Sequence, residues 1–447
     1  MNEPILGELS YGSPPAQARK SSHELLAGST AGALADHHTD LLALAWRRRP
    51  LQLANPLLNF ADLAGADERL LASLHALCAL GAPARAHLQT MLKDPLRAGE
   101  MFVMTLYSLT TSDAALLDTC TALQRVLPEL KDAWVDGFRW APPTPLLESR
   151  IAELPLAARL QVVSARYRDF DGIAPAAFDV MRTVDNPSPD EIWAALELLS
   201  RLGRTDLAAA ARLYLGHGAD VVQLAAARTL LGLGDAADAP PALDTLSTLA
   251  ESADSGIAEA AVQCLAMHAP EHLAPVLHAI KGPTAERLRI LALGWTGSVD
   301  DVPVLADYLG RPDLARVAGA SLSLITGSDP SRDGWMAPRQ RREEQENHDA
   351  GIPALDRDIA LPWPDANAFA VWWADNKARF DRAGRYFLGG PIATAQLLNV
   401  IKTGPLASRS LAAGHWQRLT HGSLFPTELP APTQRAIFPE MDRSPTP

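Results

Sequence analysis

The sequence predicts an all-α protein whose central part is an α-solenoid, a stack of two-helix repeats. Three observations favour this fold class. The chain is rich in Ala and Leu, only 6% of its residues are aromatic, and apolar helical runs recur about every thirty residues. Ala and Leu are good helix formers, whereas strands favour β-branched and aromatic residues. No catalytic or cofactor motif accompanies this pattern, so the sequence predicts architecture more directly than function.

The chain opens with a segment that lacks a helical pattern. Residues 1–30 are rich in Ser, Gly and Pro and are interpreted as a flexible lead-in. Residues 31–180 are interpreted as an N-terminal helical region of degenerate repeats. Its first helix is expected over Ala35–Arg49, because basic residues suit the negative end of a helix dipole and Pro50 should stop the helix.

The rest of this region alternates between helical runs and breaks. Asp67–Leu80 carries one apolar stripe and ends before Gly81, as a helix should. The signal weakens around Trp134, Phe138 and Trp140, where prolines follow. Further helices are expected near residues 84–93, 96–109, 112–126, 147–153 and 155–167.

A regular repeat array is predicted over residues 191–327. Four of its helical runs end at a glycine and one ends before Pro270. A glycine just past a helix end supplies the left-handed turn that reverses the chain. A shorter second helix follows each of the first four runs, near residues 206–215, 241–251, 272–280 and 301–309. Stacked hairpins can share a core that one hairpin cannot form alone. The five runs are Glu191–Leu202, Asp220–Leu233, Gly256–Met267, Thr284–Thr296 and Asp313–Thr326.

Three further segments follow the array. Residues 328–360 are interpreted as a polar linker, 361–420 as a C-terminal helical cap on the last repeat, and 421–447 as a Pro-rich tail. The linker contains a run of mixed charges at 339–346, which is typical of a solvated loop or a short exposed helix. Helices in the cap are expected near residues 366–380, 392–402 and 405–418.

The densest aromatic cluster of the chain lies in the cap. It invites two interpretations, packing of the cap on the last repeat or binding of a partner, since exposed Trp, Tyr and Arg are frequent interface anchors. An ion pair of Arg385 inside the cap is compatible with the first. The candidate partner-binding residues are Trp363, Trp372, Trp373, Arg385 and Tyr386.

Two local strings resemble metal sites. Residues 268–272 spell H-x-x-E-H, a zinc motif that needs both histidines on one continuous helix. Pro270 lies between them and should break that helix, so a turn is predicted instead. His37 and His38, flanked by Asp36 and Asp40, point about 100° apart on a helix and are interpreted as an exposed first turn. No metal ligand, cofactor-binding residue or catalytic residue is therefore predicted.

Charge and cysteine usage narrow the function classes. A formal net charge of −12 argues against nucleic acid and against an anionic membrane surface as partners. Cys78, Cys120 and Cys264 are far apart in helical runs, which predicts buried thiols in a reducing compartment. No secretory signal is recognised and no apolar run is long enough to cross a bilayer. We expect a cytoplasmic protein without membrane insertion, of undetermined oligomeric state.

Much of the chain, from about residue 35 to 420, resembles a bacterial family of HEAT-repeat proteins. The resemblance is carried by six stretches: Trp46–Arg49, Asp67–Leu70, Val317–Gly327, the string LPWPD at 361–365, Trp372-Trp373 and Arg385-Tyr386. After Lys402 the sequence departs from the family pattern. Members of this family often occur among type VI secretion genes of Gram-negative bacteria. The resemblance implies HEAT-like two-helix repeats, an ARM-like superhelix and a secretion setting, and it supplies no catalytic residues.

The leading functional hypothesis is a non-enzymatic protein–protein interaction scaffold or adaptor associated with type VI secretion. Its partner would be a secretion component, an effector or an effector's chaperone, because stacked repeats present an extended protein-binding groove. One alternative is an immunity protein that neutralises a secreted effector. Another is an enzyme or ligand-handling protein, since some HEAT-like proteins are bilin lyases; it would need a deep pocket with convergent polar groups. A nucleic-acid-binding solenoid would need a continuous basic stripe.

Overall fold

The structure, a computed structural model, describes residues 30–166, 186–282, 285–338 and 358–443. The expected all-α class is confirmed for these residues, which contain helices and one short β-hairpin. They divide into two compact units: residues 199–425, here called the repeat unit, and residues 30–198 with 426–442, here called the amino-terminal unit. Within the described ranges, no helix has the length and apolar character needed to cross a bilayer. Residues 1–29 of the predicted lead-in and the charge run at 339–346 lie outside these ranges.

The helices are numbered in chain order. Those of the amino-terminal unit are α1 (Thr30–Leu53), α2 (Phe60–Ala79), α3 (Ala82–Met91), α4 (Ala98–Thr111), α5 (Ala114–Val126), α6 (Lys131–Trp140), α7 (Pro145–Ile151), α8 (Leu156–Ala165) and most of α9 (Pro189–Leu202). The repeat unit contains α10 (Thr205–Ala208), α11 (Asp220–Leu233), α12 (Ala239–Leu249), α13 (Ser255–His268), α14 (Leu273–Ala279), α15 (Ala285–Thr296), α16 (Val302–Asp307), α17 (Pro312–Thr326), α18 (Ala366–Asn376), β1 (Tyr386–Phe387), β2 (Gly390–Pro391), α19 (Thr394–Thr403) and α20 (Leu406–Thr420). The last helix, α21 (Ala431–Met441), belongs to the amino-terminal unit.

The first helix continues past the proline that was expected to stop it. α1 includes Pro50 and ends at Leu53, so the predicted end at Arg49 is wrong. Pro50 lies in the last turn, where its missing N–H removes one hydrogen bond, and its carbonyl still accepts from Ala54 N at 3.1 Å. Arg49 does not face solvent near the helix end either. Its guanidinium is buried and donates two hydrogen bonds to Asp67, at 3.0 and 3.1 Å.

The weak signal around residue 134 conceals a helix. In α6, Trp134 and Phe138 are buried and meet edge to face, with ring centroids 5.0 Å apart. Gly137 allows α6 to lie close to α4, because a Cβ there would approach the Thr105 side chain to 2.6 Å. Aromatic residues and glycine have low helix propensity, so packing stabilises this helix where local preference does not. The other predicted helices of this region are present, most with ends shifted by one or two residues. α2 is the exception, because it begins at Phe60, seven residues before the predicted Asp67.

The repeat unit reproduces the predicted run of first and second helices. α11 has the predicted bounds, and α9, α13, α15 and α17 differ from theirs by one or two residues at their starts or ends. The expected second helices are α10, α12, α14 and α16, each joined to a short 3₁₀ segment. Successive first helices pack on one another, α11 on α13, α13 on α15 and α15 on α17.

The glycines at the helix stops serve two different purposes. Gly203, Gly297 and Gly327 have φ of +63°, +70° and +68°, so the predicted left-handed turn is confirmed there. Gly234 has φ −77°, and the same prediction is wrong for it. A Cβ at Gly234 would lie 2.6 Å from Leu230 O, so crowding rather than handedness requires glycine at this stop.

The end of the array continues into a buried core rather than into a polar linker. Trp335 lies in the segment interpreted as a linker, yet it is fully buried against Phe369 of α18, with ring centroids 5.1 Å apart. Residues of α15, α16 and α17 complete this core, among them Ile290, Leu305 and Leu322. The segment's mean polarity comes from residues 339–357, which the structure does not describe.

Residues 385–425 form what we call the return segment, which contacts the carboxyl end of each first helix. Leu388 N and Gly389 N donate to the last turn of α17, and Tyr386 N donates to Gly297 O after α15. A Cβ at Gly414 would lie 2.6 Å from Cε of Met267 in α13.

The return segment then continues to the first helices that precede α13. A Cβ at Gly232 of α11 would lie 2.7 Å from Gln417 Oε1. Gln417 Nε2 and Leu424 N both donate to Ser200 O in α9. The segment predicted to cap the last repeat therefore covers the ends of all five first helices. The region interpreted as a Pro-rich tail contains the last residues of the return segment, 421–425, and the helix α21.

Candidate functional site

The predicted partner-binding aromatics do not form one exposed patch. Trp363 and Tyr386 are buried, at 5% and 9% exposure, whereas Trp372 and Trp373 are half-buried on α18. Trp363 lies under the Arg316 guanidinium, whose carbon is 4.5 Å from the ring centroid. Only the two tryptophans of α18 offer surface to a partner, and their role in binding stays a prediction.

Trp372, Trp373 and Tyr386 also pack in or against the core of the repeat unit. Trp372 stacks on Trp373, with centroids 6.4 Å apart, and Trp373 contacts Phe380, which meets Tyr386 edge to face at 5.0 Å. The Tyr386 hydroxyl accepts a hydrogen bond of 2.7 Å from Asp381 N. These ring contacts belong to the core that packs α18 against α15, α16 and α17.

Arg385 binds backbone carbonyl groups at two helix ends instead of a carboxylate. Its Nε donates to Thr296 O at the end of α15, and Nη1 and Nη2 donate to Met267 O and Ala266 O at the end of α13. Carbonyl groups at a helix end lack intrahelical partners and carry partial negative charge. Arg385 therefore fastens the return segment to two adjacent first helices. Burial, followed by the repulsion of Arg418, lowers its pKa to about 10.

Arg418 and two histidines line a cavity of about 620 Å³ beside the return segment. The cavity opens between α11, α12 and α20, and its other walls combine leucines and alanines with Thr205 and Asp235. Its lining includes Leu230, Leu231, Leu233, Ala236, Ala239, Leu243, His268, Arg418 and His421. The Arg418 guanidinium thus meets leucine and alanine side chains in a space large enough for a small molecule.

The guanidinium groups of Arg418 and Arg385 act on two histidines beside this cavity. Burial, then Arg418 and Arg385, lower the pKa of His268 to about 3, so this imidazole is neutral at neutral pH. Burial and the same two guanidinium groups also lower the pKa of His415 well below its usual range. Burial lowers the pKa of Arg418 itself. The shared and largest cause is burial, to which the nearby guanidinium groups add for the two histidines.

The metal-like strings do not assemble a metal site. α13 ends at His268, and Pro270–His272 is a 3₁₀ turn, so the predicted break of the H-x-x-E-H string is confirmed. His37 and His38 lie on α1, with ring centroids 5.5 Å apart and edge to face. Across the described ranges, no three His, Cys, Asp or Glu side chains are grouped so as to hold a metal ion.

A stripe of exposed leucines runs along α1, and sequence analysis missed it. Leu34, Leu41, Leu44 and Leu51 are each 40–47% exposed, whereas Leu42 on the opposite face is fully buried. We call these four residues the leucine stripe. Isolated exposed leucines are common on protein surfaces, but a line of four on one helix is typical of an interaction surface.

The three cysteines carry thiols shielded by burial. Cys120 and Cys264 are buried, Cys78 is partly buried, and burial raises the pKa of Cys120 to about 12 and of Cys78 to about 11. Because the thiolate is the reactive form, we expect the native protein to react slowly with Ellman's reagent and to release all three equivalents after denaturation in guanidinium. Rapid labelling of Cys120 in the native protein, located by peptide mapping, would contradict this packing.

A search of protein-family models, of curated proteins and of solved structures finds no match to this chain.

Proposed function

We propose that the protein is a non-enzymatic scaffold that binds another protein, and that its repeat unit is an α-solenoid of HEAT-like hairpins. The succession of first helices that pack on one another, each of the first four followed by a short second helix, supports the solenoid. The resemblance to HEAT-repeat proteins of type VI secretion clusters favours a secretion component, an effector or an effector's chaperone as the partner.

The leucine stripe is the observation that carries this proposal. Together with His37 and Arg48, its residues form an exposed series, 34, 37, 41, 44, 48 and 51, with alternating spacings of three and four. That is the spacing of the positions that face a partner helix in a coiled coil. The surface therefore suits an amphipathic helix of another protein, which would cover the four leucines.

Charge on the same surface narrows the partner helix. Arg48 occupies one of the facing positions, and Arg47 beside it is also exposed. A partner helix that docks on this surface would cover Arg48, and a covered arginine requires a carboxylate opposite it. The partner helix is therefore apolar along one face, with an acidic residue near the carboxyl end of α1. The four leucines carry no charge, so burial of their apolar surface is the main source of affinity.

Replacing Leu41 and Leu44 together with glutamate should weaken partner binding at least tenfold. The double variant loses two apolar contacts and places two carboxylates in the interface, and about 1.4 kcal/mol already corresponds to tenfold in Kd. A photo-crosslinking residue at position 41 would first identify the partner peptide in the native host. The purified partner would then be titrated by calorimetry against the parent chain and the variant.

Val126→Glu provides a matched control. Val126 is exposed at the end of α5, outside the stripe, so this variant should bind like the parent. Equal binding by the double variant, with an unchanged circular dichroism spectrum, would rule out the stripe as the docking surface. Crosslinks that join position 41 to a second copy of this chain would also contradict the proposal, because the stripe would then serve self-association.

A further inference from the structure

The cavity beside the return segment contains an arginine that forms no ion pair with any residue in the described part of the chain. Arg418 is half-buried on α20, and its Nε is fully buried without a hydrogen-bond partner among the described residues. Its neighbour Arg385 differs, because each of its three guanidinium nitrogens donates to a carbonyl group. A buried cation without a partner is unfavourable, so natural proteins usually pair one or bind an anion there.

Carboxylates that could neutralise Arg418 are engaged elsewhere. Asp235 is the acidic residue that lines the cavity among the described residues, and it is exposed at the start of the 3₁₀ segment Ala236–Asp238. Asp238, next to it, forms an ion pair with Arg212. Glu271 acts on Arg385 from a distance and is not part of the lining.

The other walls of the cavity determine what kind of anion fits. Leu230, Leu233 and Leu243 from α11 and α12 line it, together with two alanines. A bare inorganic anion would satisfy Arg418 and leave these apolar walls wet. An apolar ligand without charge would cover the walls and leave Arg418 unpaired. A ligand with one anionic group on an apolar body satisfies both, as small-molecule sites usually require.

We propose that this cavity binds a small amphipathic carboxylate, whose carboxylate pairs with Arg418 and whose aliphatic part packs on α11 and α12. His268 and His421 flank Arg418 in the cavity. A neutral imidazole donates one hydrogen bond, so His268 can add a donor to the bound carboxylate without a charge of its own. The proposal does not depend on the leucine stripe, which lies in the other unit.

Octanoate is a suitable probe. 1-Octanol, which lacks the charge, and inorganic phosphate, which lacks the apolar body, are the comparison ligands. The full chain should bind octanoate in calorimetry and gain thermal stability at millimolar concentrations, and it should bind 1-octanol and phosphate at least tenfold more weakly. Arg418→Gln should weaken octanoate binding at least tenfold while leaving 1-octanol binding unchanged. Arg382→Gln, an exposed arginine elsewhere in the repeat unit, should bind octanoate like the parent.

A second variant keeps the test independent of the charge. Ala236 is exposed at the cavity rim, and Ala236→Trp should fill the opening and block octanoate while the fold stays intact by circular dichroism. Absence of octanoate binding to the parent chain would overturn the proposal. So would octanoate affinity that survives both Arg418→Gln and Ala236→Trp, or phosphate binding as tight as that of octanoate.

Discussion

Replacing Arg49 with alanine is expected to lower the free energy of unfolding of the amino-terminal unit by about 3–5 kcal/mol, because removal of one partner leaves a buried charge unpaired. Asp67 is 1% exposed, and besides both hydrogen bonds from Arg49 it accepts one of 2.8 Å from Ala431 N. Arg49 also donates to Leu429 O at 2.7 Å and lies over the Trp140 ring, 5.0 Å from its centroid. One side chain thus links three separate segments of this unit.

Urea unfolding followed by circular dichroism measures this effect, and Arg48→Ala is the neighbouring control. Arg48 is exposed, so its replacement should change the free energy of unfolding by no more than about 0.5 kcal/mol. Asp67→Ala should cost as much as Arg49→Ala, and the double variant should cost less than their sum, because the pair is removed together. Equal unfolding midpoints for Arg49→Ala and Arg48→Ala would show that the buried pair contributes no stability.

Replacing Gly297 with alanine is expected to destabilise the repeat unit by at least about 2 kcal/mol and to release the return segment. Its φ of +70° is unfavourable for alanine by about 1–2 kcal/mol. The new Cβ would also lie only 2.4 Å from Tyr386 O. The backbone must therefore move apart where Tyr386 N donates to Gly297 O, and the nearby Arg385 contacts weaken with it. Faster hydrogen exchange at residues 385–389 would measure the release.

Gly310→Ala is the matched control for Gly297→Ala. A Cβ at Gly310 meets nothing within 4 Å, and its φ is not in the left-handed region. Alanine there should leave stability unchanged or raise it by about 0.4–1 kcal/mol, because it restricts the unfolded chain. Unchanged exchange at residues 385–389 in Gly297→Ala would mean that the return segment does not depend on the close approach at this glycine.

The helices of the array were predictable because their signals are local. The apolar stripe of α11 and the glycine after it lie within fifteen consecutive residues, and its predicted bounds are those observed. The turn at Pro270 was equally local, since proline acts on its own helix. Pro50 shows the limit of this reasoning. Pro50 removes one hydrogen bond and crowds the preceding turn. The buried Arg49–Asp67 pair stabilises the helix at this point.

Features that depend on contacts distant in sequence escaped prediction. α6 is stabilised by its close approach to α4 at Gly137, and no local sequence pattern predicts that approach. The return segment meets Ser200 across 217 residues of sequence. The glycine stops did carry a signal of it, since Gly297 and Gly327 leave room for its backbone as well as for a left-handed turn. Only the turn was recognised.

Of the candidate sites, the sequence indicated the aromatic cluster and missed the other two. α1 has leucines on both faces, Leu42 inward and Leu41 outward, so its periodicity could not show which face is buried. His268 was noticed only as part of a zinc-like string. Nothing in the sequence near Arg418 connects it with His268, because the cavity forms when α20 lies against the array.

The return segment also imposes an order on biosynthesis. The ribosome synthesises the five first helices before residues 385–425. The carbonyl groups that this segment later binds, such as Ser200 O and Met267 O, are therefore first hydrated. The helix ends therefore gain these hydrogen bonds only after nearly the whole polypeptide has been translated. The contact between Gln417 and Ser200 joins residues 217 positions apart in the sequence. Chains arrested before Tyr386 would leave these helix ends exposed to water.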